Sequence, residues 1–442
     1  MINNKIAYFS HRIMEPEVLE KLLFLNNNEK KSLDEKMMTQ FVLFKKILNF
    51  AYENNFYYKN LLNTKGIHPD DIALYEDIEK IPITTKQDII DNYKYFEDMV
   101  PPNPFIKKHT GGTTGAFLHY KMDKEALYFG KAKLIRGWGY GGYTLGDKLA
   151  TIAGGSLLPQ KAGKLKRYLL KYLLSKINLS AADMSDAHIQ KQIALLNEWK
   201  PMYLRGYVSS IALLSDYIIT NNVLLKFKPK GIFTTAEKLY DFQRNLISNA
   251  FKSEVFDNYG LYDCGLSAFE CECHNGLHID YENSLFEVVN EAGKNVYETE
   301  GKIIGTDFYN YAFPFIRYDT GDYGILSKNA CNCGRTSNRI TAILGREKDY
   351  LEFYGRRFRI NDNLMSECNV KQFQVHQLDS NTVKFLIVKL PSYSLENESV
   401  IRNSILSNTI DVTVQIEYVE KILPYKNNKF KTVIRHLNGD NT

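Results

Sequence analysis

The spacing of apolar positions changes along the chain and divides it into three parts. In the first hundred residues the spacing is helical, as at Phe41, Phe44, Leu48 and Ala51, so this part is predicted to be mainly helical. Another helix is predicted to open over residues 88–93, after a short polar segment. A packed helical cap explains this pattern, and we assign it no chemistry.

From about residue 201, short apolar segments alternate with helical ones. Strands are predicted at residues 202–204, 231–233 and 254–256. The helix after the first strand is expected to be capped by Ser209 or Ser210, and the next helix to span 239–251. Strands separated by helices imply right-handed crossovers and a largely parallel sheet. Ligands bind such sheets at the carboxyl ends of the strands, which here are followed by residues 206–207, 234–237 and 258–260.

The last ninety residues have a third pattern, in which alternating strands at 383–388 and 412–419 flank one helix. This is typical of a small α+β domain. The pattern as a whole predicts an α/β fold, with mainly parallel sheets and helices in a large N-terminal domain over residues 1–348. Residues 349–442 are then expected to form a mobile C-terminal lid domain.

Composition excludes several classes of protein. Of 442 residues, 44% are hydrophobic and 24% are charged, and the net charge is +5, which is typical of a globular protein and unlike a disordered tail or a fibre. Acidic and basic residues are interspersed, so no nucleic-acid partner is expected. No apolar run approaches the roughly 18 residues of a membrane span and the start lacks a signal peptide, so we expect no membrane insertion and a cytoplasmic location. No feature specifies the oligomeric state.

The strongest local signal is a segment rich in glycine and threonine, Thr110-Gly111-Gly112-Thr113-Thr114-Gly115. Glycines allow the backbone to approach an oxyanion closely, and threonine hydroxyls add donors around it. No Gly-Lys-Ser/Thr follows, so it is not a Walker loop. Taken alone, the segment is also typical of an ordinary turn.

Together with four later segments, this loop resembles the motifs of the acyl-adenylate-forming superfamily (acyl-CoA synthetases, luciferases and peptide-synthetase adenylation domains). In the family's order, those segments are Asn258-Tyr259-Gly260-Leu261-Tyr262-Asp263, Arg317-Tyr318-Asp319-Thr320-Gly321-Asp322, Gly345-Arg346-Glu347-Lys348-Asp349 and residues 424–429. The nearest branch is the phenylacetate–CoA ligase-like group, which includes capsular-polysaccharide adenylating enzymes. The chain resembles that branch also at residues 56–58, 81–86, 270–271, 276–278 and 331–335.

The resemblance implies an ATP-dependent ligase that activates a small carboxylic acid to acyl-AMP, releases pyrophosphate and passes the acyl group to CoA or to an amine. It implies that the loop formed by Thr110, Gly111, Gly112, Thr113, Thr114 and Gly115 holds phosphates, with Thr113 and Thr114 also catalytic. The adenine is expected to stack on Tyr259, in a site completed by Asn258, Gly260, Ala236 and Glu237. Asp322 is expected to bind the ribose, Arg346 the ribose or α-phosphate, and the catalytic Lys429 the developing negative charge.

One segment departs from the family's pattern. Where the family has Thr-Glu, this chain has Tyr262-Asp263. The carboxylate expected to bind Mg²⁺ is retained with one methylene fewer, and Mg²⁺ tolerates little change in geometry. Asp263 is therefore expected to hold Mg²⁺ in an active enzyme. The alternatives are that it only caps a turn, and that the chain is a catalytically silent nucleotide-binding or assembly protein.

The cysteines form a second constellation. Six cysteines are too few for a disulfide framework in so long a chain, but four of them form two Cys-x-Cys pairs, which indicates reduced thiols available to a metal. The resemblance selects four ligands for a structural Zn²⁺: Cys271, His278, Cys331 and Cys333. The alternative is a set of buried free thiols. Trp138-Gly139-Tyr140 and residues 153–156 are rich in glycine and aromatic residues, which fits either the lining of an acyl pocket or tight turns.

Overall fold

The structure is a computed structural model that describes residues 2–110, 118–154, 171–346, 350–360, 362–407, 409, 411–420, 422 and 432–436. Three predicted site features lie outside these residues: the loop residues 111–115, the lysine Lys429, and the hinge residues 347–349. Their predicted roles remain predictions.

Within the described residues the chain forms twelve α-helices, which are α1 (Ile2–Met14), α2 (Pro16–Asn28), α3 (Leu33–Asn54), α4 (Phe56–Thr64), α5 (Lys86–Asp91), α6 (Tyr93–Glu97), α7 (Lys124–Tyr140), α8 (Asp186–Trp199), α9 (Val208–Thr220), α10 (Asp241–Phe251), α11 (Asp362–Glu367) and α12 (Leu395–Leu406). Two 3₁₀ helices span Pro69–Asp71 and Tyr75–Lys80. The first hundred described residues are helical, as the periodicity predicts.

The described strands are β1 (Phe105–His109), β2 (His119–Asp123), β3 (Leu149–Ala153), β4 (Lys176–Ser180), β5 (Tyr203–Tyr207), β6 (Gly231–Thr235), β7 (Glu254–Phe256), β8 (Asn258–Gly260), β9 (Ser267–Glu270), β10 (Leu277–Ile279), β11 (Ser284–Val289), β12 (Glu300–Asp307), β13 (Tyr318–Ser327), β14 (Arg339–Arg346), β15 (Tyr350–Phe353), β16 (Arg356–Arg359), β17 (Val370–Gln377), β18 (Thr382–Lys389), β19 (Thr413–Tyr418) and β20 (Val433–Arg435). They form two large sheets, a smaller four-stranded sheet and two hairpins.

Capping residues fix where the N-terminal helices begin. Helix α3 begins after Ser32, whose hydroxyl accepts a bond from the Glu35 amide while the Glu35 carboxylate accepts one from the Ser32 amide at 2.8 Å. Helix α5 begins two residues earlier than predicted because Thr85 and Asp88 form the same reciprocal pair. Such a capping box satisfies two backbone donors that the helix itself leaves without acceptors.

A five-stranded sheet with the order β4-β3-β5-β6-β7 is parallel throughout, as the alternation of strands and helices predicts. Helices α8, α9 and α10 pack on one face, and α7 packs on the other. The predicted caps Ser209 and Ser210 are wrong: α9 begins at Val208, and both serines are buried in its first turn. Carboxylate Glu237 accepts bonds from the Ser209 amide at 2.7 Å and its hydroxyl at 3.0 Å.

The larger sheet has seven strands in the order β11-β12-β13-β14-β10-β9-β8, and every pairing is antiparallel. The expectation of mainly parallel sheets therefore holds only for the five-stranded sheet, although the α/β class is correct. The physical reason is the length of the connections: β8 to β9 and β9 to β10 are joined by six residues each, too few for a crossover helix but enough for an antiparallel return.

The C-terminal part has its own apolar core, built mainly from residues 351–433 around the sheet β19-β18-β17-β20. It contacts the large region through α10 and α9, where the Tyr240 and Phe373 rings lie 6.0 Å apart and Lys371 pairs with Asp216 at 2.6 Å. Among the described residues, no helix has the length and apolar content needed to cross a bilayer.

Candidate active site and metal cluster

Three of the predicted ATP-binding side chains meet at one corner of the seven-stranded sheet. The Tyr259 hydroxyl donates to Asp322 Oδ2 at 2.8 Å, and Arg346 Nε lies 3.3 Å from Asp322 Oδ1. Asp322 and Arg346 are direct partners in the pairing of β13 with β14. We call Tyr259, Asp263, Asp322 and Arg346 the nucleotide corner.

Curvature of the sheet makes the Tyr259–Asp322 contact possible. Tyr259 is on the edge strand β8, and three strands separate it from β13 in the hydrogen-bonding order. In a flat sheet, strands four spacings apart would lie about 19 Å from each other, which is beyond the reach of a tyrosine and an aspartate side chain. The motifs therefore converge only because the sheet curls.

A buried arginine anchors the strand that carries Asp322. Arg317 precedes β13 with a φ of +42° and has a side chain only 1% exposed. It binds both Glu287 oxygens, at 3.1 and 3.0 Å, and donates to the Ile81 carbonyl at 2.6 Å. The Arg317 carbonyl also accepts from the Thr84 amide at 2.9 Å. The left-handed backbone is thus fixed by tertiary contacts, which hold the start of the motif in place.

Asp263, the proposed magnesium ligand of the nucleotide corner, is half-buried. Burial raises the pKa of Asp263, the nearby Asp322 carboxylate raises it further, and the Arg346 guanidinium lowers it. Lys86, at the start of α5, faces the same group: burial lowers the pKa of Lys86, and Asp263 opposes that shift. A carboxylate whose ionised form is disfavoured by burial and by a like charge suits a divalent cation.

The predicted adenine-site residues follow the carboxyl ends of β6 and β7. Thr235 Oγ1 donates to Asn258 Oδ1 at 3.1 Å, and Ala236 has a φ of +68°, a conformation unusual for a residue with a Cβ. Because Ser209 donates to Glu237, the Glu237 carboxylate is held at the start of α9. Residues Ala236 and Asn258 thus lie on neighbouring strand ends, while Gly260 ends β8.

Of the predicted phosphate loop, the structure describes Thr110. Its amide donates to the Leu118 carbonyl at 2.9 Å, and its hydroxyl accepts from the Leu118 amide at 3.1 Å. These two bonds close the base of the segment between β1 and β2. The Thr110 hydroxyl therefore has a structural partner.

Four predicted zinc ligands come together at the other end of β13 and β14. The donor atoms of Cys271, His278, Cys331 and Cys333 all lie within 4.8 Å of one another, and we call these residues the Cys/His cluster. Cys271 Sγ is 3.7 Å from Cys331 Sγ, and Cys333 Sγ is 3.2 Å from His278 Nε2. Zn–S bonds of about 2.3 Å in a tetrahedron would place sulfurs about 3.8 Å apart, so the donors fit zinc.

The histidine of the cluster is held in a metal-binding orientation. His278 Nδ1 lies 3.0 Å from Ser337 Oγ and 3.3 Å from the Ser337 carbonyl. With Nδ1 donating to that carbonyl, Nε2 presents its lone pair to the cysteines. Two neighbouring residues are outside this set of four: Cys273 is exposed, although Cys331 and Cys271 act on its thiol, and His274 pairs with Glu270 at 3.2 Å.

One cationic side chain of this region was not identified from the sequence. Arg205 is on β5, and its guanidinium lies 4.8 Å from the centre of the Trp138 ring. It belongs to no motif, and its signal in the sequence is only an arginine inside an otherwise apolar strand.

Similarity to known proteins agrees with the motifs. No protein-family model matches the chain. Protein CapK of Staphylococcus aureus is 28% identical over 358 residues, which cover 78% of this chain and 77% of CapK. Phenylacetate-coenzyme A ligase of Thermus thermophilus is 26% identical over 322 residues, which cover 70% of each chain.

The fold also matches a solved ligase. A crystal structure of 2-hydroxyisobutyryl-CoA ligase in the postadenylation state, in complex with R3-HIB-AMP, has a TM-score of 0.75 at 16% identity, covering 93% of this chain and 91% of that one. The same ligase in its thioesterification state, in complex with 2-HIB-AMP and CoA, has a TM-score of 0.62 at 17% identity. The chain therefore has the fold of the adenylate-forming ligases and is a relative of CapK and the phenylacetate–CoA ligases, as its motifs indicate.

Proposed function

We propose that this protein is an adenylate-forming ligase, which activates a small carboxylic acid with ATP to acyl-AMP and pyrophosphate and then transfers the acyl group to an acceptor. The observation that carries the proposal is the contact of Tyr259, Asp322 and Arg346, three motif residues from three strands, at one edge of the sheet. The relatives named phenylacetate-coenzyme A ligase support the same reaction.

Each group of the nucleotide corner has a role that fits its geometry. Asp322 is a carboxylate at the end of the paired strands β13 and β14, and it would accept bonds from ribose hydroxyls. The ring of Tyr259, positioned through its bond to Asp322, would stack on adenine. Arg346 is 36% exposed, so the ribose or the α-phosphate could reach its guanidinium. Positioning and charge stabilisation of this kind supply most of the catalysis in reactions at phosphorus.

The proposed Mg²⁺ would be bound by Asp263 and would neutralise charge on the ATP phosphates. The chain itself supplies the remaining positive charge, through Arg346 and, by the resemblance, Lys429. In this proposal Lys429 serves adenylation only, since the C-terminal domain is expected to rotate at residues 345–349 between the two half-reactions.

We propose CoA as the first acceptor to test, because the relatives include ligases named for it. The similarity to CapK supports an amine as the second, in the synthesis of a capsule or another surface polysaccharide. Since the reaction consumes ATP, we place it in the cytoplasm.

Pyrophosphate exchange tests the adenylation step directly. Wild-type protein is incubated with ATP, labelled pyrophosphate and a panel of aryl, hydroxy and amino acids. Exchange that requires one acid, and falls by about 10²–10³ in both Asp263→Ala and Lys429→Ala, is the expected result. ATP binding without exchange for any acid would support the silent nucleotide-binding protein that Tyr262-Asp263 suggests.

A second experiment separates the two half-reactions. Lys429→Ala is supplied with preformed acyl-adenylate and CoA or an amine. We expect acyl transfer at close to the wild-type rate, since the lysine would act only on the first step. Equal loss of both steps would contradict the proposed rotation of the lid domain.

We also propose that the Cys/His cluster holds one structural Zn²⁺. A set of three sulfurs and one nitrogen leaves no open coordination position, which is typical of structural rather than catalytic zinc. Elemental analysis of the purified protein should give one zinc per chain. Protein without zinc would show that the cysteines are buried free thiols.

A further inference from the structure

The inference concerns Arg205 and rests on the proposed function, because it names the class of acid that the ligase activates. Strand β5 directs Arg205 to the face of the parallel sheet that packs on α7, where its guanidinium covers the Trp138 ring at 4.8 Å. Burial lowers the pKa of Arg205, and the ionisable groups Tyr262 and Tyr207 oppose that shift. Tyr207 lies two residues later on the same strand. Tyr262 is adjacent in sequence to Asp263, the proposed magnesium ligand.

Arg205 lacks the acidic partner that four other packed arginines have. Arg339 also lacks one, but it donates to the carbonyls of Asn275 and Asn329 instead. Arg136, Arg244, Arg317 and Arg335 each bind at least one carboxylate at 3.1 Å or closer. Arg205 makes no ion pair or hydrogen bond with any residue in the described part of the chain, and its Nε atom is buried without an acceptor. A guanidinium keeps its charge in any protein environment, so among the described residues Arg205 is a half-buried cation without a counter-ion.

Two of the segments outside the described residues are close in sequence to β1 and β3 and add no acidic residue. Residues 111–117 and 155–170 contain no aspartate or glutamate, and the second segment contains three lysines and an arginine. Segment 155–170 follows β3, which pairs with β5 beside Arg205. The sequence around this edge of the sheet is thus basic.

A second cation increases the positive charge. Lys176, at the start of β4, forms no ion pair with the residues described, and burial lowers its pKa to about 8, with Arg205 among the contributing charges. The acid that acts on Lys176 is Glu15, which is already bound to Lys131 at 2.8 Å and to His11 at 3.0 Å. Glu15 is therefore already engaged by other cations and does not balance the combined positive charge of Lys176 and Arg205.

A buried and unpaired charge is costly, and proteins keep one where a ligand supplies the partner. A planar guanidinium pairs best with a carboxylate or a phosphate, which it can bind through two parallel bonds. We propose that Arg205 binds a second anionic group on the substrate, so that the acid activated by this protein carries a carboxylate or phosphate at the end remote from the reacting carboxyl. Trp138, Tyr207 and Tyr262 would then surround the chain between the two groups.

Matched pairs of acids test the inference by pyrophosphate exchange. Glutarate is compared with pentanoate, and isophthalate with 3-methylbenzoate. A third series, in which a phosphate replaces the second carboxylate, distinguishes the two anions. Wild-type protein should favour the doubly anionic member of a pair. Arg205→Leu should lower kcat/KM for that member by about 10- to 100-fold, mainly through KM, and leave the neutral member unchanged.

Two further variants distinguish a specific loss of anion binding from a general loss of structure. Arg205→Lys keeps the charge but loses the two-pronged geometry, so it should retain an intermediate preference. Arg335→Leu is a matched control, since Arg335 stacks on Tyr140 of the same helix at 4.1 Å but already binds Glu272. It should leave the ratio between paired acids unchanged.

The outcomes separate this inference from the proposed function. Exchange with neutral acids at the same efficiency, unchanged in Arg205→Leu, would overturn the role of Arg205 while the ligase activity stands. Exchange with no acid at all would overturn both.

Discussion

Strands β13 and β14 carry a different kind of site at each end. At one end, Asp322 and Arg346 pair across the two strands and face the nucleotide corner. At the other end, Cys331 and Cys333 lie in the connection between the strands and meet Cys271 and His278. The same pair of strands thus connects a proposed catalytic site with a proposed structural one.

The two ends differ in how their polar groups are satisfied. The Cys/His cluster is closed, because its four donors face one another and Ser337 supports the histidine from behind. The nucleotide corner is open: Arg346 is 36% exposed, and Asp263 is a half-buried carboxylate beside the carboxylate of Asp322. A closed set of ligands stabilises a fold, whereas an open set with incompletely balanced charge can bind and release a substrate.

The largest effect on activity is expected at Asp322. Asp322→Ala removes the acceptor for the ribose and the partner of both Tyr259 and Arg346, so exchange should fall by about 10²–10³ with little change in melting temperature. Asp319→Asn, on the same strand, is the matched control, since its amide oxygen still accepts from the Gly321 amide. A similar loss in both variants would mean that the motif is needed only for folding.

The largest effect on stability is expected at Arg317, which anchors the open end. Arg317→Met leaves the Glu287 carboxylate buried without its partner, so the free energy of unfolding should fall by about 3–5 kcal/mol. Chemical denaturation measures this change. Adding Glu287→Leu should recover part of the loss, and a double variant less stable than the single one would contradict this account.

Removal of zinc tests the closed end. Chelation, or Cys331→Ser, should lower the melting temperature by about 5 °C or more and leave the exchange rate at 25 °C close to that of the untreated protein. Cys273→Ser changes an exposed thiol beside the cluster that is not one of its four donors, and should lower the melting temperature less than Cys331→Ser does. Exchange lost on chelation, in protein that remains folded, would show that the two ends are not independent.

The smallest effect is expected at Tyr259. Tyr259→Phe keeps the ring for stacking and loses one hydrogen bond to Asp322, so KM for ATP should rise by only about fivefold. Tyr259→Leu loses the stacking surface as well and should raise KM further. Equal effects of Phe and Leu would indicate that the hydroxyl, and not the ring, binds the nucleotide.

Local patterns were enough to identify much of the fold. The alternation of strands and helices between residues 201 and 256 predicts the parallel sheet, because each strand is a short apolar run bounded by a helical period. The same method did not predict that the seven-stranded sheet is antiparallel, since a strand such as 284–289 is buried on both faces and lacks the alternation of apolar and polar residues typical of antiparallel sheets. The wrong caps at Ser209 and Ser210 have a similar origin, because it is Glu237, distant in sequence, that binds the start of α9.

By itself, the sequence determined the α/β class, the order of the motifs and the residue types of both sites, because these depend on local spacing and side-chain chemistry. Tertiary structure decided which of those residues meet. Tyr259 reaches Asp322 because the sheet curls, and the cysteines meet because two connections of that sheet lie side by side. Within the part of the chain that the structure describes, it also left Arg205 without a counter-ion, since a charge is paired or unpaired only by what the fold places around it.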